Sequence, residues 1–248
     1  MNRLAYIAMS GAKQTLLAQA TNANNLANVS TQGFKADLDA FTSMPVYGPG
    51  YQNARVYAQD TRSGTDFQQG ALTTTGRSLD IAINGPGFIA VQAPDGSEAY
   101  TRRGDLHVSP NGQLQTATGA PVLGNQGPIA IPPASKIDIL GDGTISIIPL
   151  GGDVNAPAQV DRIKLVNPPD TALQKRSDGL FALKPGTPPP VADASISVAS
   201  GVLEGSNVNP VDSMVKMIEY GRLFEMQTKM IKTADDNSSA ADKLLQFS

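Results

Sequence analysis

Three residues of the types that hydrolases use lie close together in the middle of the chain. Asp105, His107 and Ser109 are each separated by one residue, and a strand would place all three side chains on one face. Hydrolysis needs a nucleophile, a base and a group that orients the base, which such a set could supply. Strand alternation produces the same arrangement by chance, however. We therefore interpret these residues as a surface strand beside a turn at Asn111-Gly112.

Two other stretches resemble ligand-binding loops but lack the rest of a site. GDGTIS, residues 141–146, holds one aspartate in a tight turn and not the spaced oxygen ligands of a calcium loop. NGPGF, residues 84–88, is not followed by a helix whose N-terminus could bind phosphate. The chain has one histidine and no cysteine, which excludes disulfides, thiol nucleophiles and cysteine-ligated zinc. We expect no catalytic, metal-binding or cofactor-binding site and a protein that is not an enzyme.

Composition and charge exclude further classes of function. The 248 residues include 24 Gly, 18 Pro and no Trp, which is typical of a fold rich in loops and turns. The net charge of -3 and the scattering of the 19 Lys and Arg argue against nucleic acid as a partner. No apolar run approaches the roughly 20 residues of a membrane span. Ser10, Gly11, Lys13 and Gln14 interrupt the N-terminal apolar residues, so we expect no cleaved signal peptide.

The middle of the chain carries β-sheet signals. Residues 37–77 contain turn-forming Pro and Gly, and we predict an extended connector with one or two short strands. Residues 78–200 are predicted to form a central antiparallel β domain of short strands and hairpins. Its turns are marked by the dipeptides Asn84-Gly85, Asp95-Gly96, Asn111-Gly112, Asp142-Gly143 and Asp178-Gly179.

The N-terminal segment, residues 1–36, has a helical pattern from Asn2 to about Ala27. Small or apolar residues recur at intervals of four and three, which is the spacing of a coiled-coil seam. The residues are so small that a partner helix has to approach closely. The predicted seam consists of Leu4, Ala8, Gly11, Thr15 and Ala18, continued by Asn22 and Asn25.

The C-terminal segment, residues 201–248, is also predicted to be helical. Asn209 is a suitable N-cap and Pro210 suits the first helical position. The pattern continues to about Ala234, and a second short helix is expected over residues 240–247. One face of the helix is apolar and consists of Met217, Tyr220, Gly221, Leu223, Phe224, Thr228, Met230, Ile231 and Ala234.

These patterns together predict an α+β fold in which the N- and C-terminal helices form a coiled-coil-like pair and the β domain lies between them in sequence. Each helix pair would still expose apolar flanks that another subunit can cover. Two readings compatible with this pattern are a self-assembling structural protein and an adaptor that clasps one partner with its helices. An enzyme has no need for apolar faces at both ends of the chain.

Three stretches resemble the bacterial flagellar rod and hook family, and together they span nearly the whole chain. They are ANNLANVSTQGFK (residues 23–35), SLDIAINGPGFIAVQAPDGSEAYTRRGDLHVSPNGQLQTATGAPVLG (residues 78–124) and SGVLEGSNVNPVDSMVKMIEYGRLFEMQTKMI (residues 200–231). Within the family, the run GRLFEMQTKMIKTADDN is most similar to members of the proximal rod. A distal rod or hook paralogue is the alternative.

The resemblance implies a structural subunit of the basal-body rod, the drive shaft that transmits torque for motility and encloses the export channel. Its partners would be other rod and axial subunits and, during secretion, the flagellar type III export apparatus. Family members are exported without a cleaved signal and lie in the periplasmic rod. Their terminal helices pair on assembly and line the inner tube. No cofactor is implied.

The asparagine-rich end of the first helix is expected to lock helices together. Our hypothesis is that its asparagines cap carbonyl groups, tolerate left-handed backbone and bond to neighbouring chains. Small apolar residues beside them would pack between helices, a glycine would permit the turn, and an aromatic residue would anchor the exit. The asparagines are Asn24, Asn25 and Asn28, and the small apolar residues are Leu26, Ala27 and Val29. The glycine is Gly33 and the aromatic residue is Phe34.

Overall fold

The protein has an α+β architecture with a helix at each end of the chain. The computed structural model describes residues 3–45, 56–151 and 157–246. Helix α1 is Arg3–Ala27 and helix α2 is Pro210–Gln246. The chain divides into two compact units, each described separately below. Unit 1 contains Met1–Asn28, Asp37–Asp66 and Val208–Ser248, and unit 2 contains Val29–Ala36 and Phe67–Asn207.

Sixteen strands lie between the helices in the part of the chain that the structure describes, and every strand pairing is antiparallel. The strands are β1 (Asp37–Pro45), β2 (Val56–Thr65), β3 (Leu72–Thr74), β4 (Ile81–Asn84), β5 (Phe88–Gln92), β6 (Glu98–Thr101), β7 (Leu106–Val108), β8 (Leu114–Thr116), β9 (Ala134–Ile139), β10 (Thr144–Pro149), β11 (Ala158–Arg162), β12 (Leu165–Val166), β13 (Leu173–Lys175), β14 (Phe181–Leu183), β15 (Ser197–Ser200) and β16 (Val202–Glu204).

Helix α1 ends at the predicted residue and buries the predicted small residues. The side chains that face the interior of unit 1 recur every three or four residues, because that spacing returns to the same face of a helix. Leu4 lies among the residues whose side chains the structure does not describe, and Gly11 is half-buried. The buried residues are Ala8, Ala12, Thr15, Ala18, Asn22 and Asn25.

Helix α2 begins as the sequence predicts. The Asn209 side-chain oxygen accepts hydrogen bonds from the backbone N–H groups of Val211 (3.0 Å) and Asp212 (3.4 Å), which is the geometry of an N-cap. The predicted break after Ala234 is wrong, because the helix continues through residues 234–239 to Gln246. That stretch holds Asp, Asn and Ser but neither Gly nor Pro, so its weak helix propensity does not end the helix.

The two helices contact each other within unit 1. The Asn22 side-chain amide donates to the Ser213 carbonyl at 2.7 Å, and the Thr15 hydroxyl lies 3.2 Å from the Gln227 side-chain oxygen. Since the lower-numbered residue of α1 meets the higher-numbered residue of α2, the helices run antiparallel. Gly11 allows the close approach, because a Cβ there would lie 2.8 Å from the Gln227 side-chain nitrogen.

Unit 1 also contains a long β-hairpin that the sequence did not predict. Strands β1 and β2 pair from Asp37 opposite Thr65 to Pro45 opposite Val56, with a bulge between Leu38 and Asp39. At nine and ten residues, these strands are longer than the short strands expected in the connector. Polar residues occupy both strands without clear alternation, so the period-two signal of a half-buried strand is weak.

Unit 2 is built from small antiparallel sheets. The largest has the strand order β12-β5-β6-β14-β13, and a second has the order β11-β10-β9. Three two-stranded sheets, β15-β4, β16-β3 and β7-β8, complete unit 2. Residues 202–204, which the sequence analysis grouped with the C-terminal helix, form β16 and therefore belong to this unit.

Four of the five predicted turn dipeptides close hairpins between paired strands. In these four hairpins the glycine has φ between +79° and +85°, a region that glycine enters without steric cost. The fifth dipeptide, Asn84-Gly85, connects β4 to β5, which pair with other strands rather than with each other. It is a turn between sheets and not a hairpin.

The core of unit 2 has an aliphatic part and an aromatic part. The aliphatic part is rich in isoleucine and includes Ile81, Ile89 and Ile145, all fully buried. In the aromatic part, the Phe181 ring centroid lies 5.3 Å from that of Phe67 and 5.6 Å from that of Phe88. These distances are typical of favourable aromatic pairs.

We predict that Phe181→Ala lowers the free energy of unfolding of unit 2 by about 3–5 kcal/mol, because it leaves a cavity between two rings. Urea denaturation followed by circular dichroism measures the change. The control is Leu150→Ala, since Leu150 is 69% exposed and its truncation should stay within about 0.5 kcal/mol. An unchanged midpoint for Phe181→Ala would contradict this account of the core.

Candidate functional site: the segment after helix α1 and the faces of the two helices

The asparagine-rich end of α1 is bonded within its own chain. The side chain of Asn25 is buried, its amide donates to the Asp37 carbonyl at 2.8 Å, and its oxygen accepts from the Asp37 N–H at 2.9 Å. Both polar atoms therefore hold the start of β1 beside the end of α1. The bond to a neighbouring chain that we expected of this residue stays a prediction.

Asn24 and Asn28 form the C-terminal cap of α1. The Asn24 carbonyl accepts from the backbone N–H of Asn28 at 3.2 Å and from its side-chain amide at 2.9 Å, so the predicted capping of carbonyl groups is confirmed. The left-handed backbone expected of the asparagines is wrong, since no non-glycine residue in the described ranges has a positive φ. The side-chain amide satisfies the carbonyl without that conformation.

The apolar residues of the same stretch have mixed exposure. Leu26 and Val29 are half-buried and Ala27 is exposed. These residues are therefore not sealed into a core. The interhelical packing that we expected of them stays a prediction.

Gly33 makes a turn within the segment Val29–Ala36 of unit 2. Its φ is +66°, and its N–H donates to the Glu204 carbonyl at 2.8 Å. A Cβ at this position would lie 2.6 Å from the backbone of Arg102 and Arg103. Both the conformation and the close approach require glycine. The half-buried Phe34 ring, next in the chain, lies 4.0 Å from the Lys175 ammonium group, within the range of a cation–π contact.

The sequence reasoning missed a buried ion cluster in unit 2. The Lys35 ammonium group lies 2.6 Å from the Glu204 carboxylate and 2.6 Å from the Gln68 carbonyl, and both charged side chains are 0% exposed. The Gly70 N–H donates to the same carboxylate oxygen at 3.1 Å. Lysine and glutamate are rarely buried without a partner. Since 169 residues separate this pair, no local pattern could have revealed it.

Arg102 brings a second cation to the cluster. Its Nε lies 3.5 Å from the other Glu204 oxygen, and its Nη2 donates to the Gly85 carbonyl at 2.7 Å. The guanidinium carbon lies 5.8 Å from the centroid of the Phe88 ring. Burial lowers the pKa of the Arg102 guanidinium, and the Glu204 carboxylate partly offsets that effect. Two buried cations thus depend on one carboxylate.

The predicted apolar face of the C-terminal helix, α2, is only partly covered in unit 1. Met217, Tyr220, Gly221, Phe224 and Ile231 are half-buried, and Met230 is exposed. Burial raises the pKa of the Tyr220 hydroxyl, and the negative charges of Asp39 and Glu219 add to the effect. Further apolar side chains of the two helices are exposed, namely Tyr6, Ile7, Met9, Leu16, Leu17, Val211, Met214, Val215, Ile218, Leu223 and Met226.

The residues that resembled a hydrolytic set are used for local structure. The Asp105 carboxylate accepts from Arg103 Nε at 2.7 Å and 2.9 Å, and Ser109 Oγ accepts from the Gln113 N–H at 3.1 Å. His107 lies in β7 opposite Gln115. Within the described ranges, no three His, Asp or Glu side chains lie close enough together to hold a metal ion. Neither helix, over its described residues, is apolar enough to span a membrane.

Family models match all three parts of the chain. A flagellar basal body rod model covers residues 6–35, a flagellar hook protein FlgE/F/G D1 domain model covers residues 82–147, and a FlgEFG C-terminal model covers residues 199–244. The chain is 45% identical over its full length to the full-length FlgF proteins of Escherichia coli (strain K12) and Salmonella typhimurium (strain LT2). It belongs to the FlgF family of flagellar basal-body rod proteins.

More distant relatives agree with this assignment. The FlgF protein of Caulobacter vibrioides is 39% identical over 90% of this chain and 89% of its own length, and a Buchnera aphidicola FlgG protein is 34% identical over 86% and 88%. The prediction of a rod protein most like FlgF is therefore confirmed. The protein is a structural subunit of the flagellar basal-body rod, and its relatives carry the names of structural rod proteins rather than of enzymes.

We predict that Asn25→Ala weakens the attachment of β1 to α1 by about 1–2 kcal/mol, because it removes two hydrogen bonds to Asp37. Hydrogen exchange should become faster at the Asp37 amide. The matched control is Asn24→Ala, which removes an exposed side chain near the same helix end and should leave that amide unchanged. Equal exchange in both variants would rule out the proposed role of Asn25.

Proposed function

We propose that this protein is a proximal rod subunit that assembles with copies of itself and with other axial subunits through the apolar faces of α1 and α2. In the assembled rod the helices form a coiled-coil-like pair around the export channel, and the rod transmits torque. The subunit has no catalytic role. It reaches the periplasmic rod through the flagellar type III export apparatus without a cleaved signal.

The observation that carries this proposal is the uncovered apolar surface of unit 1. Ile218 and Met226 on α2 are 58% and 57% exposed, and Met9 on α1 is 56% exposed. Burying one such side chain fully contributes on the order of 1.5–3 kcal/mol. Several residues per interface would offset the entropy cost of fixing a subunit in the rod.

The functional division of the chain follows from the same proposal. Residues 1–36 and 201–248 contain the helical assembly segments α1 and α2, residues 37–77, which include the β1–β2 hairpin, connect them to the rest of the subunit, and residues 78–200 form most of the β domain outside the tube. The assembly residues are those of the predicted seam and stripe, from Leu4 to Ala18 and from Met217 to Ile231, together with the stretch from Asn24 to Phe34. The buried members of the seam act by pairing α1 with α2, and the exposed side chains of the helices contact other subunits. The chain is 45% identical to the FlgF proteins of E. coli and S. typhimurium and 34% identical to the Buchnera aphidicola FlgG proteins, which supports the proximal over the distal rod.

We predict that the double variant Ile218→Ser and Met226→Ser folds normally but does not support rod assembly. Both side chains are exposed in the subunit, so their loss removes contacts only in the assembly. Swimming in soft agar and electron microscopy of basal bodies, in a strain that lacks the chromosomal gene copy, measure assembly.

The control is Lys216→Ser with Glu225→Ser, two charged positions of α2 that are also exposed. It should swim as the wild type does, and circular dichroism should give the same spectrum for all three proteins. Normal rods in the apolar double variant would contradict the proposed interface.

Gly221 allows a test in which stability and assembly change in opposite directions. A Cβ at this position would meet no atom within 4 Å, and Gly→Ala inside a helix stabilises it by about 1 kcal/mol. We predict that Gly221→Ala raises the melting temperature of the purified subunit and impairs rod assembly, because a neighbouring helix packs against this glycine. Normal motility would show that Gly221 lies outside the interface.

A further inference from the structure

The chain passes between the two units four times, and three of these passages begin or end in one small region of unit 2. The passages follow residues 28, 36, 66 and 207. Residues 34–36, 67–70 and 203–207 of unit 2 adjoin the last three of them. Contacts among these residues therefore decide how three chain segments leave the unit.

Asn207 bonds to two of the neighbouring segments. Its side-chain oxygen accepts from the Ala36 N–H at 2.8 Å, its side-chain amide donates to the Gln68 carbonyl at 3.2 Å, and its backbone N–H donates to the Phe34 carbonyl at 3.3 Å. One side chain thus connects the residues that precede β1, follow β2 and precede α2.

The Lys35–Glu204 pair connects the same three segments through charge. The Lys35 ammonium group binds the Gln68 carbonyl and the Glu204 carboxylate, and that carboxylate also accepts from the Gly70 N–H. We call Lys35, Gln68, Glu204 and Asn207 the junction cluster. Because both ions of the pair are fully buried, water does not screen their attraction as it would at the surface.

We propose that the junction cluster is a positioning site for torque transmission. It joins the chain segments at three of the four passages between the units, so that force is shared among these segments rather than carried by one segment at a time. The inference rests on the proposed function, because the force concerned is the torque that a rod subunit transmits. Lys35 and Glu204 act by holding the segments together and do not contact another subunit in this role.

Replacing the buried ions with apolar residues separates a mechanical role of the junction cluster from a purely structural role. Removing one partner of a buried pair leaves an unpaired buried charge, whereas replacing both partners with apolar residues often restores stability. Because the buried Arg102 also faces Glu204, all three charges have to be replaced: Lys35→Met, Arg102→Met and Glu204→Leu together would fill the site without bonding to Gln68 or Gly70. A purely structural role predicts that motility returns with stability, and the proposed role predicts that it does not return under load.

The experiment compares the wild type, Glu204→Gln and the Lys35→Met/Arg102→Met/Glu204→Leu variant in a strain that lacks the gene copy. Swimming speed is measured in media of increasing viscosity, and urea denaturation of each purified protein gives its stability. The control is Asp138→Asn, which breaks the exposed Lys136–Asp138 pair of 2.7 Å. Cleavage by trypsin after Lys35 reports opening of the segment in Glu204→Gln.

We expect Glu204→Gln to be cleaved after Lys35 on the order of tenfold faster than the wild type, since proteolysis follows the population of the opened state. The apolar triple variant should regain wild-type stability yet lose speed more steeply with viscosity, and Asp138→Asn should match the wild type throughout. If Glu204→Gln does not fold, the viscosity dependence of the apolar variant alone decides whether the junction cluster has the proposed role.

Wild-type viscosity dependence in the stable apolar variant would overturn the role of the junction cluster while leaving the rod function intact. Normal swimming of the strain without any gene copy would instead overturn the proposed function, and with it the inference. The two failures are therefore distinguishable.

Discussion

The buried pair between Lys35 and Glu204 is the interaction on which the arrangement of the chain depends. It places the segment after α1 against the strand that precedes α2, although 169 residues separate the two ions. Gly33 makes this possible, because no other residue could adopt its backbone conformation and lie against Arg102 and Arg103. The segment that follows α1 and the strand that precedes α2 are thereby held together within unit 2.

Unit 1 and unit 2 differ in how much of their apolar side-chain surface is buried. Unit 2 is closed, since its isoleucine-rich core and its aromatic cluster are buried among short antiparallel strands. Unit 1 leaves apolar side chains of both helices exposed, which a soluble subunit tolerates at a cost and an assembled rod recovers. The same division explains why small residues occupy the internal seam of α1 and why methionines recur on the outer face of α2, since methionine adapts to irregular surfaces.

Periodicity and local turn chemistry made most of the fold predictable. The spacing of small residues gave α1, Asn209 and Pro210 marked the start of α2, and four Asp-Gly or Asn-Gly turns marked hairpins, because each signal acts over a few residues. The long β1–β2 hairpin, the continuation of α2 past Ala234 and the Lys35–Glu204 pair were missed. The first two have weak local propensity that tertiary packing overrides, and the third is a contact between residues far apart in sequence, for which a single sequence carries no pattern.

Methionine oxidation tests the central claim, that the exposed apolar faces of the helices are the subunit interface of the rod. Met9, Met214 and Met226 are more than half exposed and are built-in probes, since oxidation follows exposure. Brief peroxide treatment of purified subunit and of isolated basal bodies, followed by mass spectrometry, gives the oxidised fraction of each methionine. The account predicts rapid oxidation of all three in the subunit and protection in the rod. Equal oxidation in both samples would contradict it.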